Sequence, residues 1–210
     1  MNAFARRVRL ITAAALLAAS VIPTTASANK DGSFMDLRKL YQIAVAERGD
    51  TVNRAMAAAE AILAADPKDA VARAYKGSLL TMMGGDAWMP WNKLRYVNRG
   101  MDMLDAAVAE AKDAKDHGLD GEAEILLVAA FTNSRLPSMF NRAAAARQQI
   151  RRLIALPTFA SLETSLQARA LAIAAAYAHQ DGNKAESDAL LARAVALNER
   201  EARREFNERK

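Results

Sequence analysis

The joint between two helical runs at residues 70–113 constrains the fold of this chain more than any other feature. It contains two adjacent glycines and Pro90, residue types that end or begin helices. Both tryptophans of the chain, Trp88 and Trp91, lie within four residues of each other at this joint. We therefore predict a helical hairpin with an unusual elbow, and we expect the rest of the chain to form similar hairpins stacked on it.

The second run of this hairpin carries two adjoining apolar stripes when it is projected at about 100° per residue. The first stripe contains Leu94, Val97, Met101, Leu104 and Val108, and the second contains Tyr96, Gly100, Met103 and Ala107. A helix on the surface of a single core shows one stripe. Two stripes predict a helix that packs on both sides, as helices do in stacked hairpins. The small residues Gly100 and Ala107 would let a neighbouring backbone approach closely.

The remaining sequence predicts one helix after another. Alanine and leucine are frequent, and no segment alternates with period two for long enough to indicate a strand. Proline, glycine and aspartate divide the chain into about eight helices. These pair into four predicted hairpins, near 33–65, 70–113, 121–155 and 161–198. The predicted fold class is all-α with stacked antiparallel helical hairpins, and a compact all-α bundle is the alternative.

The first residues have the order of a secretory signal peptide. Three arginines precede an uncharged run at residues 10–22, and the small residues Ala26-Ser27-Ala28 follow it. We predict cleavage after Ala28. The run is shorter than the roughly 20 apolar residues that a membrane-spanning helix needs. The arginine pair leaves the twin-arginine export route open beside the general one, although Arg9 stands where that signal would have an apolar residue.

Removal of residues 1–28 changes the charge balance of the product. The signal holds three of the 29 Lys and Arg residues and no acid, which leaves 26 basic residues against 24 acidic ones. Because nucleic-acid binding needs a basic face, we expect no nucleic-acid partner. We predict a helical domain at 29–198, a solvated charged extension at 199–210, a periplasmic or secreted location, and no stable membrane insertion after cleavage.

Three of the predicted hairpins carry small, apolar or turn residues at positions typical of a helix–turn–helix repeat. The first has Ala55, Ala59 and Ile62 before Asp66-Pro67, the second has Gly77 seven residues after Ala70, and the last has Ala175, Gly182, Leu191, Ala194 and Asn198. In these positions the chain resembles the tetratricopeptide-repeat family, whose unit is a helix–turn–helix of about 34 residues. The repeats are degenerate. The second hairpin departs from the family by inserting the elbow, and the third matches poorly.

The resemblance implies a non-catalytic scaffold that binds a protein or peptide partner of the cell envelope in the groove of the stacked hairpins. Side chains of the first helices would line that groove. The candidate residues are Tyr41, Arg73, Tyr75 and Lys76.

The elbow suggests an alternative function, the binding of a small molecule or a cell-wall fragment. Aromatic rings can stack on sugars or bind cations, and the candidate residues are Trp88, Trp91 and Tyr96. We expect one tryptophan ring to be buried against the next hairpin and the other to be available for contact.

No reaction is indicated by the sequence. The chain has no cysteine and only two histidines, His117 and His179, which we interpret as surface residues. A zinc site needs three or four ligands brought together, and the glycine pair of the elbow lacks the Lys-Ser/Thr of a phosphate loop. We therefore predict no catalytic residues, no metal site, no cofactor and no enzyme activity.

Overall fold

A computed structural model describes the backbone of residues 26–210 and the side chains of residues 33–210. The predicted signal peptide lies outside this description except for the backbone of its last three residues. Helix α1 begins at Ala26, seven residues before Ser33, where the sequence predicted its start.

Eight α-helices follow one another along the described chain. They are α1 (Ala26–Glu47), α2 (Asp50–Ala65), α3 (Ala70–Asp86), α4 (Pro90–Ala109), α5 (Gly121–Asn133), α6 (Ala143–Ala155), α7 (Thr164–Gln180) and α8 (Lys184–Asn207). Short 3₁₀ turns lie at Ala111–Asp113, Ser138–Phe140 and Pro157–Ser161. No strand occurs in residues 26–210. The predicted all-α fold is confirmed.

The helices pack as neighbouring pairs. Each predicted hairpin forms, namely α1 with α2, α3 with α4, α5 with α6 and α7 with α8. Successive pairs meet through α2 and α3, α4 and α5, and α6 and α7, while α3 also packs on α5. Helix α3 therefore lies between three others, which explains why nearly its whole length is buried.

The helix starts follow from local chemistry. The side chain of Asp69 accepts a hydrogen bond of 2.9 Å from the amide of Ala72 and so caps α3. Asp120 caps α5 in the same way. Pro90 occupies the first turn of α4, where its missing amide hydrogen costs nothing. These caps stand at the breaks that the sequence predicted.

Two glycines allow α3 and α4 to approach closely. A Cβ atom added to Gly100 would lie 2.5 Å from the carbonyl oxygen of Gly77, and one added to Gly77 would lie 2.8 Å from the carbonyl oxygen of Gly100. The close approach predicted at Gly100 is confirmed. Its partner is the preceding helix of the same hairpin.

The last helix differs from the prediction. At Asn198 the backbone of α8 is extended, with φ −160° and ψ 98°, so the helix breaks there. Residues 199–210, called here the C-terminal segment, do not project into solvent as expected, because Ala202 and Glu205 are fully buried. The cause is a set of arginines on the core that neutralise Glu205.

Candidate functional site

The structure separates the four predicted groove residues into two groups. Tyr41 and Tyr75 meet edge to face, with ring centroids 4.8 Å apart. Arg73 instead pairs with Glu110, after α4, while the ammonium group of Lys76 lies 2.8 Å from a carboxylate oxygen of Glu60 on α2. Arg73 and Lys76 therefore face the second helices of their own and the preceding hairpin, away from the two tyrosines.

The tyrosines take part in hydrogen bonds that join α1, α3 and α5. The hydroxyl of Tyr41 is hydrogen-bonded to Ser78 at 2.8 Å, and Thr132 donates to the same serine at 2.7 Å. Tyr75 donates to Glu124 at 2.6 Å. Burial raises the pKa of Tyr75 well above its usual value, and the charge of Glu124 adds to the effect. Both hydroxyls are therefore occupied by intramolecular partners.

Glu124 is the centre of this network. Arg38 of α1 donates from Nε at 2.6 Å and from Nη2 at 2.8 Å to its two carboxylate oxygens, in a bidentate ion pair. The hydrogen bond to Glu124 raises the pKa of the Arg38 guanidinium, although burial opposes it. Because both charged groups are neutralised locally, this arrangement anchors α1 on the core and offers no free group for chemistry.

His117 is not the surface residue that we expected. It is buried, its ring stacks on Phe34 with centroids 3.7 Å apart, and its Nε2 atom lies 2.7 Å from Asp69. The loop after α4 packs against the middle of α1, where Arg38 also donates a hydrogen bond to the carbonyl oxygen of His117. His179, in contrast, is exposed as predicted. Among residues 33–210, no group of three or more His, Asp or Glu side chains could hold a metal ion.

The elbow presents both tryptophans to solvent. Trp88 is 88% exposed and Trp91 is 65% exposed, so the expectation that one ring would be buried is wrong. Met89 and Leu94 are also more than one-third exposed. The ring of Tyr96 is half-buried, and the guanidinium carbon of Arg95 lies 5.6 Å from its centroid. Trp88 lies in the connection, whereas Trp91 lies in the first turn of α4, on the side opposite the buried Val97, Gly100, Leu104 and Ala107. Both rings therefore face solvent at the elbow.

A second candidate site lies under the C-terminal segment. The carboxylate of Glu205 lies 2.8 Å from Nη2 of Arg135, which follows α5, and 2.8 Å from Nε of Arg169 on α7. Arg209, one turn further along the segment, also pairs with it. We call Arg135, Arg169 and Arg209 the arginine cluster. One buried carboxylate therefore receives three close guanidinium groups, and Nη2 of Arg204 lies 3.7 Å from it.

The positive charges of this cluster stabilise the ionised form of Glu205. Burial alone would raise the pKa of Glu205, but the charges of Arg135, Arg209 and Arg169 outweigh it and hold the pKa below its usual range. Arg169 also lies over the ring of Phe131, 4.6 Å from its centroid. Its planar group is thereby fixed between an aromatic face and the carboxylate.

The C-terminal segment also makes contacts beyond this ion pair. Phe206 packs edge to face on His179, with centroids 6.0 Å apart, and Gln180 donates a hydrogen bond of 2.5 Å to the carbonyl oxygen of Arg209. Ala202 belongs to the apolar core that α5–α8 share. The surface around Arg135 and α7, called here the α5–α7 surface, therefore holds a short helix through one carboxylate, one small residue and one aromatic ring.

A separate apolar cleft of about 180 Å³ lies between α6, α7 and α8, bordered by Ile150, Ile154, Tyr177 and Leu190. The guanidinium carbon of Arg147 lies 4.8 Å from the centroid of the Tyr177 ring. This cleft is formed by other helices than those of the elbow, so it does not involve the tryptophans.

No match for the chain was found among protein-family models, curated proteins or solved structures. The tetratricopeptide resemblance therefore stays a prediction from the sequence motifs.

The arginine cluster was not predicted from the sequence. Arg135 and Glu205 are 70 residues apart, and no local pattern relates them. A signal was nevertheless present, because Ala202, Glu205 and Arg209 recur at helical spacing and share one face. Within a segment so rich in charges, that face was indistinguishable from a solvated one.

Proposed function

We propose that this protein is a non-catalytic scaffold of paired helices that binds a helical segment of a partner protein at its α5–α7 surface. The observation that supports the proposal is the burial of Glu205 there. A carboxylate loses much solvation energy when it is buried, and it is retained only where opposite charges replace the water. The α5–α7 surface thus already has the chemistry to hold a helix that presents a carboxylate, which is here the chain's own C-terminal segment.

The contacts define the kind of partner. It presents a carboxylate to Arg135 and Arg169, a small residue three positions earlier at the place of Ala202, and an aromatic residue at the place of Phe206. Such a helix-in-groove mode is common in helical scaffolds. The intramolecular segment competes with the partner, since both need the same two arginines.

The predicted export signal and the repeat resemblance agree with this proposal. A scaffold in the periplasm, or secreted, would meet partner proteins of the cell envelope. The interaction needs no cofactor and no reactive group, in keeping with the sequence interpretation. The groove candidates change, however, because Tyr41 and Tyr75 are occupied by internal hydrogen bonds.

The test uses a fluorescent peptide with the sequence of residues 199–210 and the full-length chain. In the Glu205→Gln variant the internal segment loses its charge pair, so we expect the labelled peptide to bind. The wild-type chain should bind it at least tenfold more weakly, because its own segment occupies the surface. Fluorescence anisotropy measures both affinities.

Matched variants decide the interpretation. Glu199 makes only an exposed ion pair with Arg203, so Glu199→Gln should leave the wild-type affinity unchanged. Arg169→Ala added to Glu205→Gln should abolish binding. The proposal fails if the Glu205→Gln chain retains its helical circular dichroism and still does not bind the peptide, or if binding survives the loss of Arg169.

A further inference from the structure

The exposed elbow is a surface that the proposed scaffold function does not use. At its base α3 and α4 are in close contact, because a Cβ atom added to Gly84 would lie 2.6 Å from Cγ2 of Val97 and 3.0 Å from the carbonyl oxygen of Lys93. Beyond this close contact, the chain turns through Trp88, Met89 and Trp91. We call Trp88, Met89, Trp91 and Leu94 the elbow tip.

The elbow tip extends past the end of α5. Ser78 of α3 is hydrogen-bonded to Thr132, in the last turn of α5. From Ser78, α3 continues for eight residues to Asp86, or about 12 Å of helix at roughly 1.5 Å per residue. The tip therefore stands on a length of hairpin that the end of α5 does not cover.

Exposed cations follow the tip along α4. Lys93, Arg95 and Arg99 are exposed on α4, whereas Asp86 is the one acidic residue between positions 84 and 100. An apolar end followed by exposed cations is a pattern of proteins that bind the surface of an anionic membrane, where tryptophan lies at the headgroup level and lysine or arginine contacts the phosphates.

The size of the tip favours a membrane over a protein partner. The two indole rings would bury roughly 300–500 Å² together. Each partner in a stable protein–protein interface buries roughly 800 Å². A narrow convex tip needs no complementary cavity in a bilayer, since lipid headgroups close around it.

We propose that the elbow tip binds the surface of an anionic phospholipid bilayer, with Trp88 and Trp91 in the headgroup region and Lys93, Arg95 and Arg99 against lipid phosphates. The association is peripheral. No helix in the described part of the chain is long and apolar enough to cross a bilayer. The proposal is independent of the α5–α7 surface, which lies on other helices.

Intrinsic fluorescence tests the proposal directly, because Trp88 and Trp91 are the two tryptophans of the protein and both belong to the tip. With equimolar phosphatidylglycerol–phosphatidylcholine vesicles, we expect a blue shift of the emission and co-sedimentation of the full-length chain. Both effects should weaken as salt screens the charges. Vesicles of phosphatidylcholine alone should give neither effect.

Variants separate the contributions of rings and charges. We expect each of Trp88→Ala and Trp91→Ala to lower vesicle partitioning about tenfold, measured by sedimentation. Neutralising Lys93, Arg95 or Arg99 should cost about fivefold each. Met139→Ala is the matched control, since Met139 is exposed at another turn, and it should have no effect.

Three outcomes would overturn the proposal. The first is no blue shift with anionic vesicles. The second is equal sedimentation of the double tryptophan variant, checked for wild-type helicity by circular dichroism. The third is a blue shift with a lipid-free envelope protein fraction but none with vesicles, which would assign the tip to a protein partner.

Discussion

Two buried glutamates organise the polar contacts of this protein, and each joins segments that are far apart in sequence. Glu124 holds Arg38 of α1, and Glu205 holds Arg135 and Arg169. In both cases a carboxylate that is almost inaccessible to water is neutralised by guanidinium groups. Removing one partner leaves a buried charge without compensation, and this makes each site sensitive to a single substitution.

At the residue scale, we predict that Glu124→Gln destabilises the fold by about 3 kcal/mol, because Arg38 remains partly buried without its counter-charge. Urea unfolding followed by circular dichroism measures this loss. Glu199→Gln, which removes an exposed ion pair, should change the unfolding free energy by less than about 1 kcal/mol. Equal effects of the two substitutions would contradict the structure.

The glycine contact between α3 and α4 gives a second prediction at the residue scale. Gly100→Ala places a methyl group against the backbone of Gly77, and we expect a loss of about 1–3 kcal/mol in spite of the better helix propensity of alanine. Gly85→Ala is the control, because the nearest atom to its added Cβ is a flexible Arg48 nitrogen 4.0 Å away. That variant should be neutral or slightly stabilising by thermal unfolding.

At the scale of the element, the break in α8 determines where the C-terminal segment lies. The side chain of Asn198 accepts a hydrogen bond of 3.1 Å from the amide of Glu201 and so caps the last helical stretch. No proline or glycine enforces the break, since residues 184–207 contain neither. The turn is therefore maintained by this cap and by the contacts of Glu205 with the arginine cluster.

Asn198→Ala should weaken the docking of the C-terminal segment, because it removes the cap and favours a continuous helix. We expect amides of residues 199–207 to exchange faster with deuterium while the core of α7 keeps its protection. Asn207→Ala, at the exposed end of the same helix, is the comparison and should leave the exchange unchanged. Unaltered exchange in the Asn198→Ala variant would show that the cap does not hold the break.

Docking of the segment should also depend on pH. Because the pKa of Glu205 is lowered in the folded chain, its contribution to stability is fully present above the usual carboxyl pKa. It is lost as the pH falls from that value through the lowered one. We expect acid to release residues 199–210 in hydrogen-exchange experiments. The Glu205→Gln variant, already released, should show no such step, and a step of equal size in that variant would refute the assignment.

At the scale of the whole molecule, the sequence predicted the helices and their pairing but not the contacts between distant segments. The predicted hairpins at 70–113 and 121–155 begin where α3 and α5 begin, because the capping by Asp69 and Asp120 depends on neighbours in sequence. The burial of His117 could not be predicted from its neighbours in sequence. Its burial depends on Phe34 and Asp69, which are brought to it only by the packing of α1 and α3.

The same limit applies to the candidate sites. The elbow itself was predicted from two tryptophans in a short joint, but the expected burial of one of the two rings was wrong. The α5–α7 surface was not predicted, because residues 199–210 carry mixed charges that are typical of a solvated helix. Only the three-dimensional arrangement shows that Glu205 turns toward the arginines and not toward water.

The central claim is that the C-terminal segment folds back on α7, and the distance between two spin labels tests it most directly. The chain has no cysteine, so Lys184→Cys and Glu208→Cys supply the two labelling sites, both at exposed positions. The side chain of Ser187 donates a hydrogen bond to the carbonyl oxygen of Ala175, and the side chain of Gln180 donates one to that of Arg209. Both labels should therefore lie near the end of α7. We expect the distance between them, measured by pulsed electron–electron double resonance, to be less than about 25 Å, given a rise of roughly 1.5 Å per residue along α7. A distribution centred near 36 Å, the length of a continuous helix over these residues at about 1.5 Å per residue, would contradict the account.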